Sequence, residues 1–118
     1  MLDLNKYQED ATVTARDFSD MDVSQTKLAL VNWALGLSGE AGEAAEIVKK
    51  YVFHGHELDL GAVRKELGDV LWYIANLAET VGLSLEEVAS FNLEKLKNRY
   101  GDSFSEEKSK NRKEYRQV

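Results

Sequence analysis

The chain has 118 residues, of which 43% are hydrophobic and 31% are charged, and its formal net charge is −6 at pH 7. This length suits one domain over residues 1–118, and the acidic balance argues against a broad contact with nucleic acid. The absence of cysteine and proline excludes disulfides and thiolate metal sites and favours uninterrupted helices. The N-terminus lacks a signal-peptide pattern, and the most apolar run, 70–78, is too short to span a membrane. We therefore expect a cytoplasmic protein with no membrane partner.

The spacing of apolar residues predicts helices along the whole chain. A weakly amphipathic first helix runs from residue 3 or 5 to residue 16, followed by a polar linker over 17–23. Ser24 is suited to cap a long second helix over 25–53, in which apolar residues recur at intervals of three and four. Gly55 follows as a C-terminal stop.

Two further helices and a tail complete the predicted architecture. Asp59 can cap a third helix over 60–81, and the sequence Ser-Leu-Glu-Glu at 84–87 is a capping box that opens a fourth helix ending near Tyr100. A weaker box at 103–106 indicates a short terminal helix or a tail. With no strand pattern, the predicted class is all-α: an antiparallel bundle of four main helices plus a short C-terminal helix or tail, assembling as an oligomer.

Two pairs of carboxylates are the most informative local pattern. Glu40 and Glu43 lie three residues apart on the second helix, and Glu66 and Asp69 repeat that spacing on the third, so each pair points to one side. Both pairs border the apolar stripe of their helix on the same rotational side. Single acids of this kind are commonly solvated surface residues, but four together repel unless cations lie among them. Oxygen ligands without cysteine or inward-facing histidine favour Mg²⁺, with Mn²⁺ as a substitute.

Four glycines lie inside the predicted helices, and each costs about 1 kcal/mol relative to alanine. They are Gly36, Gly39, Gly42 and Gly68. Two explanations stay open for each of them: bare backbone that leaves space for ions, water or phosphate, or close contact between helices.

The fourth helix carries a polar residue within its apolar arc. Asn92 lies in that arc, where an amide needs hydrogen-bond partners, and Lys95 and Arg99 lie on one shoulder of it. This set is suited to contact an anion or a sugar. The alternative is a core amide flanked by two solvated cations.

These residues resemble the all-α nucleotide pyrophosphohydrolases of the MazG type. The resemblance rests on the two acidic pairs with their surrounding segments 35–46 and 66–73, and it extends to residues 92–100 and 104–107. It covers about residues 7–112. Gly101 departs from the pattern, since proline commonly follows the Arg-Tyr pair, which leaves the course of the tail open.

The resemblance implies a dimeric or tetrameric enzyme that uses Mg²⁺ to hydrolyse (deoxy)nucleoside triphosphates to the monophosphate and pyrophosphate. Water would attack the α-phosphorus, and the enzyme would serve nucleotide-pool control. Four carboxylates would be the metal ligands and catalytic residues: Glu40, Glu43, Glu66 and Asp69. Asn92 and Lys95 would contact the substrate. Lys95, together with Arg99, would stabilise charge on the leaving pyrophosphate, and Arg112 in the tail is a further candidate substrate contact. Glu46 is a further candidate as ligand or base.

The two tryptophans have candidate roles of their own, and two alternative functions stay open. Trp33 lies on the acidic shoulder and is the first candidate for stacking on the base, whereas Trp72 is expected at a subunit contact. The same chemistry would suit a phosphoribosyl-ATP pyrophosphohydrolase. A chain of this kind is also compatible with a non-catalytic helical interaction module that presents an acidic face.

Overall fold

The computed structural model describes residues 2–101 and 104–111 of the chain. Its elements are five helices: α1 (Leu4–Thr12), α2 (Gln25–Phe53), α3 (Leu60–Thr80), α4 (Leu85–Tyr100) and α5 (Glu106–Lys110). No strand occurs among these described residues. The predicted all-α class and the order of the helices are therefore confirmed.

The helices begin where side chains can accept hydrogen bonds from free backbone N–H groups. The Asp59 carboxylate accepts from the backbone N–H of Ala62 at 3.1 Å and opens α3. Ser84 and Glu87 form the predicted capping box at the start of α4. Ser24 is the N-cap residue of α2, but its side chain makes no capping hydrogen bond.

Two helix boundaries differ from the prediction. Helix α1 ends at Thr12 rather than at residue 16, because the hydroxyls of Thr12 and Thr14 donate to carbonyls three residues earlier at 2.8 and 3.3 Å. Such local bonds compete with the helical ladder. Helix α5 is capped by Ser105, whose hydroxyl accepts from the backbone N–H of Lys108. Ser103, in the predicted box, lies outside the described residues.

Helices α2 and α3 form an antiparallel hairpin. The indole of Trp33 donates to the hydroxyl of Thr80 at 3.0 Å, Gly36 lies against the ring of Tyr73, and Glu40 meets Glu66 nearer the turn. The contacts thus advance along α2 while they go backwards along α3. This arrangement places the two acidic pairs side by side.

Helix α1 packs on α3 and holds the start of α4. Asn76 is buried and its amide donates to the carbonyl of Ala11 at 3.4 Å. The amide nitrogen of Gln8, also buried, donates to the carbonyl of Leu83 at 2.8 Å, while its oxygen accepts from the N–H of Leu85 at 2.9 Å. Three alanines and one leucine make the core at this junction: Ala11, Ala75, Ala78 and Leu85.

The face of α2 that packs on α3 is not the one that its apolar stripe predicts. Trp33 is 3% exposed and Val48 is 52% exposed, so the contact line is rotated towards the acidic side by roughly 60–80°. Helix α3 is rotated in the same sense, since Leu67 is 56% exposed while Glu66 points inward. The close approach of Gly36 and Tyr73 explains the rotation, because any larger side chain at Gly36 would overlap the ring.

This rotation leaves apolar side chains exposed on one side of the hairpin. Because α2 and α3 are antiparallel and turned in the same sense, the two stripes lie on the same face. We call it the hairpin face, and it consists of Ala41, Val48 and Val52 of α2 with Leu60, Leu67 and Leu71 of α3.

Candidate metal centre

Three carboxylates meet between α2 and α3. Oxygen atoms of Glu40, Glu66 and Asp69 all lie within 4.8 Å of one another, and we call this set the carboxylate trio. Glu40 comes from α2, while Glu66 and Asp69 come from successive turns of α3. The side chain of Glu66 is 12% exposed, whereas that of Asp69 is 42% exposed. Glu66 therefore lies on the buried side of the trio and Asp69 on its accessible side.

The proximity of these acids changes the protonation of Glu40. A hydrogen bond with Glu66 raises the pKa of Glu40, partial burial raises it further, and the negative charges of Asp69 and Glu66 act in the same direction. Two carboxylates can share such a bond only when a proton lies between them. In the absence of a metal ion, Glu40 therefore retains its proton more readily than an isolated glutamate does.

A cation would remove this conflict. The Oε2 atom of Glu66 is buried and has no hydrogen-bond donor among the described residues, although a buried carboxylate oxygen normally has a partner. An all-oxygen ligand set is the type that hard divalent cations such as Mg²⁺ prefer. The trio thus fits a divalent metal ion in both its chemistry and its unsatisfied oxygen.

Two neighbours of the trio were not selected from the sequence. The ammonium of Lys65 lies 3.2 Å from Glu66 Oε1 and 3.2 Å from Asp69 Oδ2, and hydrogen bonds to both acids raise the pKa of this lysine. Burial and then the charge of Asp69 raise the pKa of Tyr7, on α1. The four-residue spacing of Lys65 and Asp69 is a local signal of ion pairing. No local signal relates Tyr7 to the trio, because α1 and α3 are distant in sequence.

A comparison with known families decides which group this arrangement represents. Residues 25–104 match the MazG nucleotide pyrophosphohydrolase domain, and this range includes α2, α3 and α4 with both acidic pairs. The chain belongs to the MazG family. The family is described as a nucleotide pyrophosphohydrolase domain, a type of domain that acts on a phosphoanhydride bond in a nucleotide.

The MazG chain also resembles a bacteriophage protein. The gene 37 protein of Mycobacterium phage L5 is 43% identical over 72 residues, which cover 55% of this chain and 60% of the phage protein. The matched part is thus less than two thirds of that relative's length. No solved structure matches this chain significantly.

The MazG domain does not bring all the predicted site residues together. Glu43 is exposed on α2, one turn after Glu40, and lies outside the trio. Glu46 pairs with Lys49 at 3.4 Å and also lies outside it. The two sequence pairs therefore contribute unequally, because the rotation of α2 turns Glu40 inward and leaves Glu43 on the outer side.

The residues of α4 lie on a helix that packs elsewhere. Helix α4 packs on α1 and α5, and within the described part of the chain it has no extensive contact with α2. Asn92 is exposed, so its expected position in an apolar interior was wrong, because α1 covers only the first turns of α4. Lys95 and Arg99 are half-buried. Arg112 lies outside the described residues.

The two tryptophans are closely packed within the MazG domain. Trp33 is in edge contact with Phe18, with ring centroids 6.4 Å apart, and with Trp72 at 5.4 Å. The indole of Trp72 donates to the hydroxyl of Thr14 at 2.9 Å. Trp72 is thus half-buried against its own chain rather than fully exposed, and its expected place at a subunit contact stays a prediction.

The glycines divide between the two explanations. Gly36 is a contact glycine, because a Cβ atom there would overlap the ring of Tyr73. A Cβ at Gly39, Gly42 or Gly68 would meet nothing within 4 Å among the described residues.

Among the described residues, no helix combines the length and apolar character needed to cross a membrane.

Proposed function

We propose that this MazG domain is a nucleoside triphosphate pyrophosphohydrolase that depends on Mg²⁺, with Mn²⁺ able to substitute, and that it serves nucleotide-pool control. The observation that carries the proposal is the carboxylate trio with its buried, unsatisfied Glu66 oxygen. Glu40, Glu66 and Asp69 would hold the ion, and the neighbouring Glu43 is the candidate for a fourth ligand. Bound Mg²⁺ would neutralise the triphosphate and orient it.

The proposed reaction cleaves the bond between the α- and β-phosphates of a (deoxy)nucleoside triphosphate. The oxygen of a water molecule bonds to the α-phosphorus, the bond to the bridging oxygen breaks, and the nucleoside monophosphate and pyrophosphate leave. The proton of the water goes to a carboxylate base. Glu43 is suited to this role when it does not bind the ion, since it is exposed, lies one helical turn after Glu40 and has no salt bridge among the described residues.

A second copy of the chain would complete this site. In the protomer, α4 packs away from α2, so the proposed substrate contacts Asn92, Lys95 and Arg99 would approach the trio from a partner subunit. A cation beside the leaving pyrophosphate would stabilise its developing charge. Arg112 remains a further candidate in the same role.

The hairpin face is the surface on which we place that second copy. Its side chains are largely exposed, with Val52 at 59% and Leu60 at 71%, and contiguous apolar surface of this kind is typical of subunit interfaces. We therefore propose a homodimer, or a homotetramer built from it. Light scattering of the purified protein should give a mass of at least twice 13.3 kDa, and Leu67→Glu should lower it, whereas the exposed loop variant Glu57→Gln should not.

A groove at the other end of the hairpin is the candidate position for the base. It has a volume of about 320 Å³ and is lined by Trp33 and Phe18 together with polar side chains such as Arg16 and Asn76. The guanidinium of Arg16 lies 4.5 Å from the centroid of the Phe18 ring. Because Trp33 is buried, its contact with a base would be along the wall of this groove rather than by free stacking.

The test is a substrate panel scored for pyrophosphate. Purified protein with Mg²⁺ should release pyrophosphate from at least one (deoxy)nucleoside triphosphate, and Glu40→Gln or Asp69→Asn should abolish the release. Glu57→Gln removes an acid of the same type from an exposed loop and should leave the rate unchanged. Orthophosphate as the sole product, or active trio variants, would contradict the proposal.

The same panel separates the two remaining functions. Pyrophosphate released from phosphoribosyl-ATP alone would identify that substrate instead. A non-catalytic module should show no rise in Tm with Mg²⁺ and a nonhydrolysable nucleotide at millimolar concentration, because a ligand that binds only the folded state must stabilise it.

A further inference from the structure

Lys65 lies where a cation is needed in the trio. Its ammonium is 3.2 Å from an oxygen of Glu66 and 3.2 Å from an oxygen of Asp69, so it joins two of the three carboxylates. Within the described residues it is the one basic side chain in ion-pair contact with the trio. Its positive charge therefore offsets part of the repulsion among the three acids.

The lysine is also able to leave this position. Its side chain is 69% exposed, in contrast to the 12% exposed side chain of Glu66 that it contacts. Exposed ion pairs contribute little to stability, so a long flexible side chain can exchange its carboxylate partners for water at small cost. The ammonium thus occupies the accessible side of the trio without being locked there.

We propose that Lys65 is an intramolecular competitor of the divalent cation: in the metal-free protein its ammonium occupies the oxygens of Glu66 and Asp69 that a metal ion needs. The inference rests on the proposed metal-binding role of the trio. Binding of Mg²⁺ or Mn²⁺ then requires Lys65 to give up both ion pairs. Lys65 acts as a positioning residue that lowers the apparent metal affinity and reduces the repulsion among the three carboxylates when no metal ion is bound.

The test measures metal binding without nucleotide. Calorimetric titration of Lys65→Met with MnCl₂ and MgCl₂ should give a Kd roughly two- to fivefold lower than that of the wild type, the size expected for loss of weak competing ion pairs. Lys49→Met is the matched control, because Lys49 lies on α2 and pairs with Glu46 outside the trio. It removes the same charge and should change Kd much less. Lys65→Arg should restore wild-type behaviour.

A second measurement tests whether Lys65 stabilises the trio in the absence of a metal ion. In EDTA, Lys65→Met should melt at a lower temperature than the wild type, and saturating Mg²⁺ should raise its Tm by more than it raises that of the wild type. An affinity in Lys65→Met equal to or weaker than that in Lys49→Met would overturn the inference alone. If the wild type binds neither ion, the inference and the proposed function fall together.

Discussion

Gly36 allows a sharp test of how α2 and α3 pack. A Cβ atom at Gly36 would overlap three atoms of the Tyr73 ring, the farthest of them at 2.6 Å, whereas carbon atoms in contact normally lie about 3.5–4.0 Å apart. The ring cannot simply turn aside, because its centroid is 5.0 Å from that of Trp72 and 6.3 Å from that of Trp33. Gly36→Ala must therefore displace the aromatic cluster.

The magnitude follows from two opposing effects. Overpacking of a filled interior costs about 1–3 kcal/mol, while replacing a helical glycine by alanine contributes about 1 kcal/mol of stability. We expect Gly36→Ala to destabilise the fold by about 0–2 kcal/mol. Gly42→Ala on the same helix should stabilise it by about 1 kcal/mol, because a Cβ at Gly42 meets nothing within 4 Å among the described residues.

The assay compares the two alanine variants by thermal melting at equal protein concentration. Their free energies of unfolding should differ by about 1–3 kcal/mol, which corresponds to roughly 4–15 °C in Tm for a domain of this size. In a Tyr73→Leu background the penalty at Gly36 should largely vanish, as a double-mutant cycle would show. The packing argument is refuted if Gly36→Ala is as stable as Gly42→Ala, or if Tyr73→Leu leaves the penalty unchanged.

Three further predictions concern the junction of α1 with α4 and the protonation of Glu40. Gln8→Leu removes both bonds to Leu83 and Leu85 and should lower the free energy of unfolding, measured with urea, by about 1–3 kcal/mol. An unchanged urea midpoint would contradict a stabilising role for these two hydrogen bonds. Ser84→Ala should lower the free energy of unfolding by about 1 kcal/mol through loss of the capping box. Thermal melting followed by circular dichroism measures this change, and a Tm equal to that of the wild type would contradict the prediction. The pKa of Glu40 is raised in the folded state. Folding therefore takes up a proton at pH values just above the ordinary glutamate pKa. Tm in EDTA should fall as pH rises through this range and remain low above it. Glu40→Gln should flatten this profile, and an equally steep profile in that variant would assign the slope to another group.

Several features of the site follow from local sequence. The pairing of Glu66 with Asp69 and the starts of α3 and α4 depend on residues within one or two turns of each other, and all are present in the structure. The motif around both acidic pairs was also sufficient to indicate the family, which the match over residues 25–104 confirms. Helical spacing and capping are short-range properties, so one sequence is enough to predict them.

Other features depend on contacts between residues far apart in the chain. Helical angles could not show that Glu40 would join the trio while Glu43 stayed outside, since this depends on the rotation that Gly36 and Tyr73 impose 37 residues apart in the numbering. Part of the apolar stripe of α2, which was expected to border the core, belongs to the exposed hairpin face instead. A stripe that serves an interface has the same local pattern as one that serves a core.

The amino-acid sequence alone therefore determined which segments are helical, where most of them begin and which acids share a helical side, because hydrogen bonding within a helix and its 3.6-residue period are local. Only the tertiary structure decided which side of each helix packs inward, that the segment after α1 contacts Trp72, that α1 packs on α4, and that Lys65 lies across Glu66 and Asp69. These are choices among faces of similar hydrophobicity. They depend on shape, above all at Gly36, where the absence of a side chain leaves room for the ring of Tyr73.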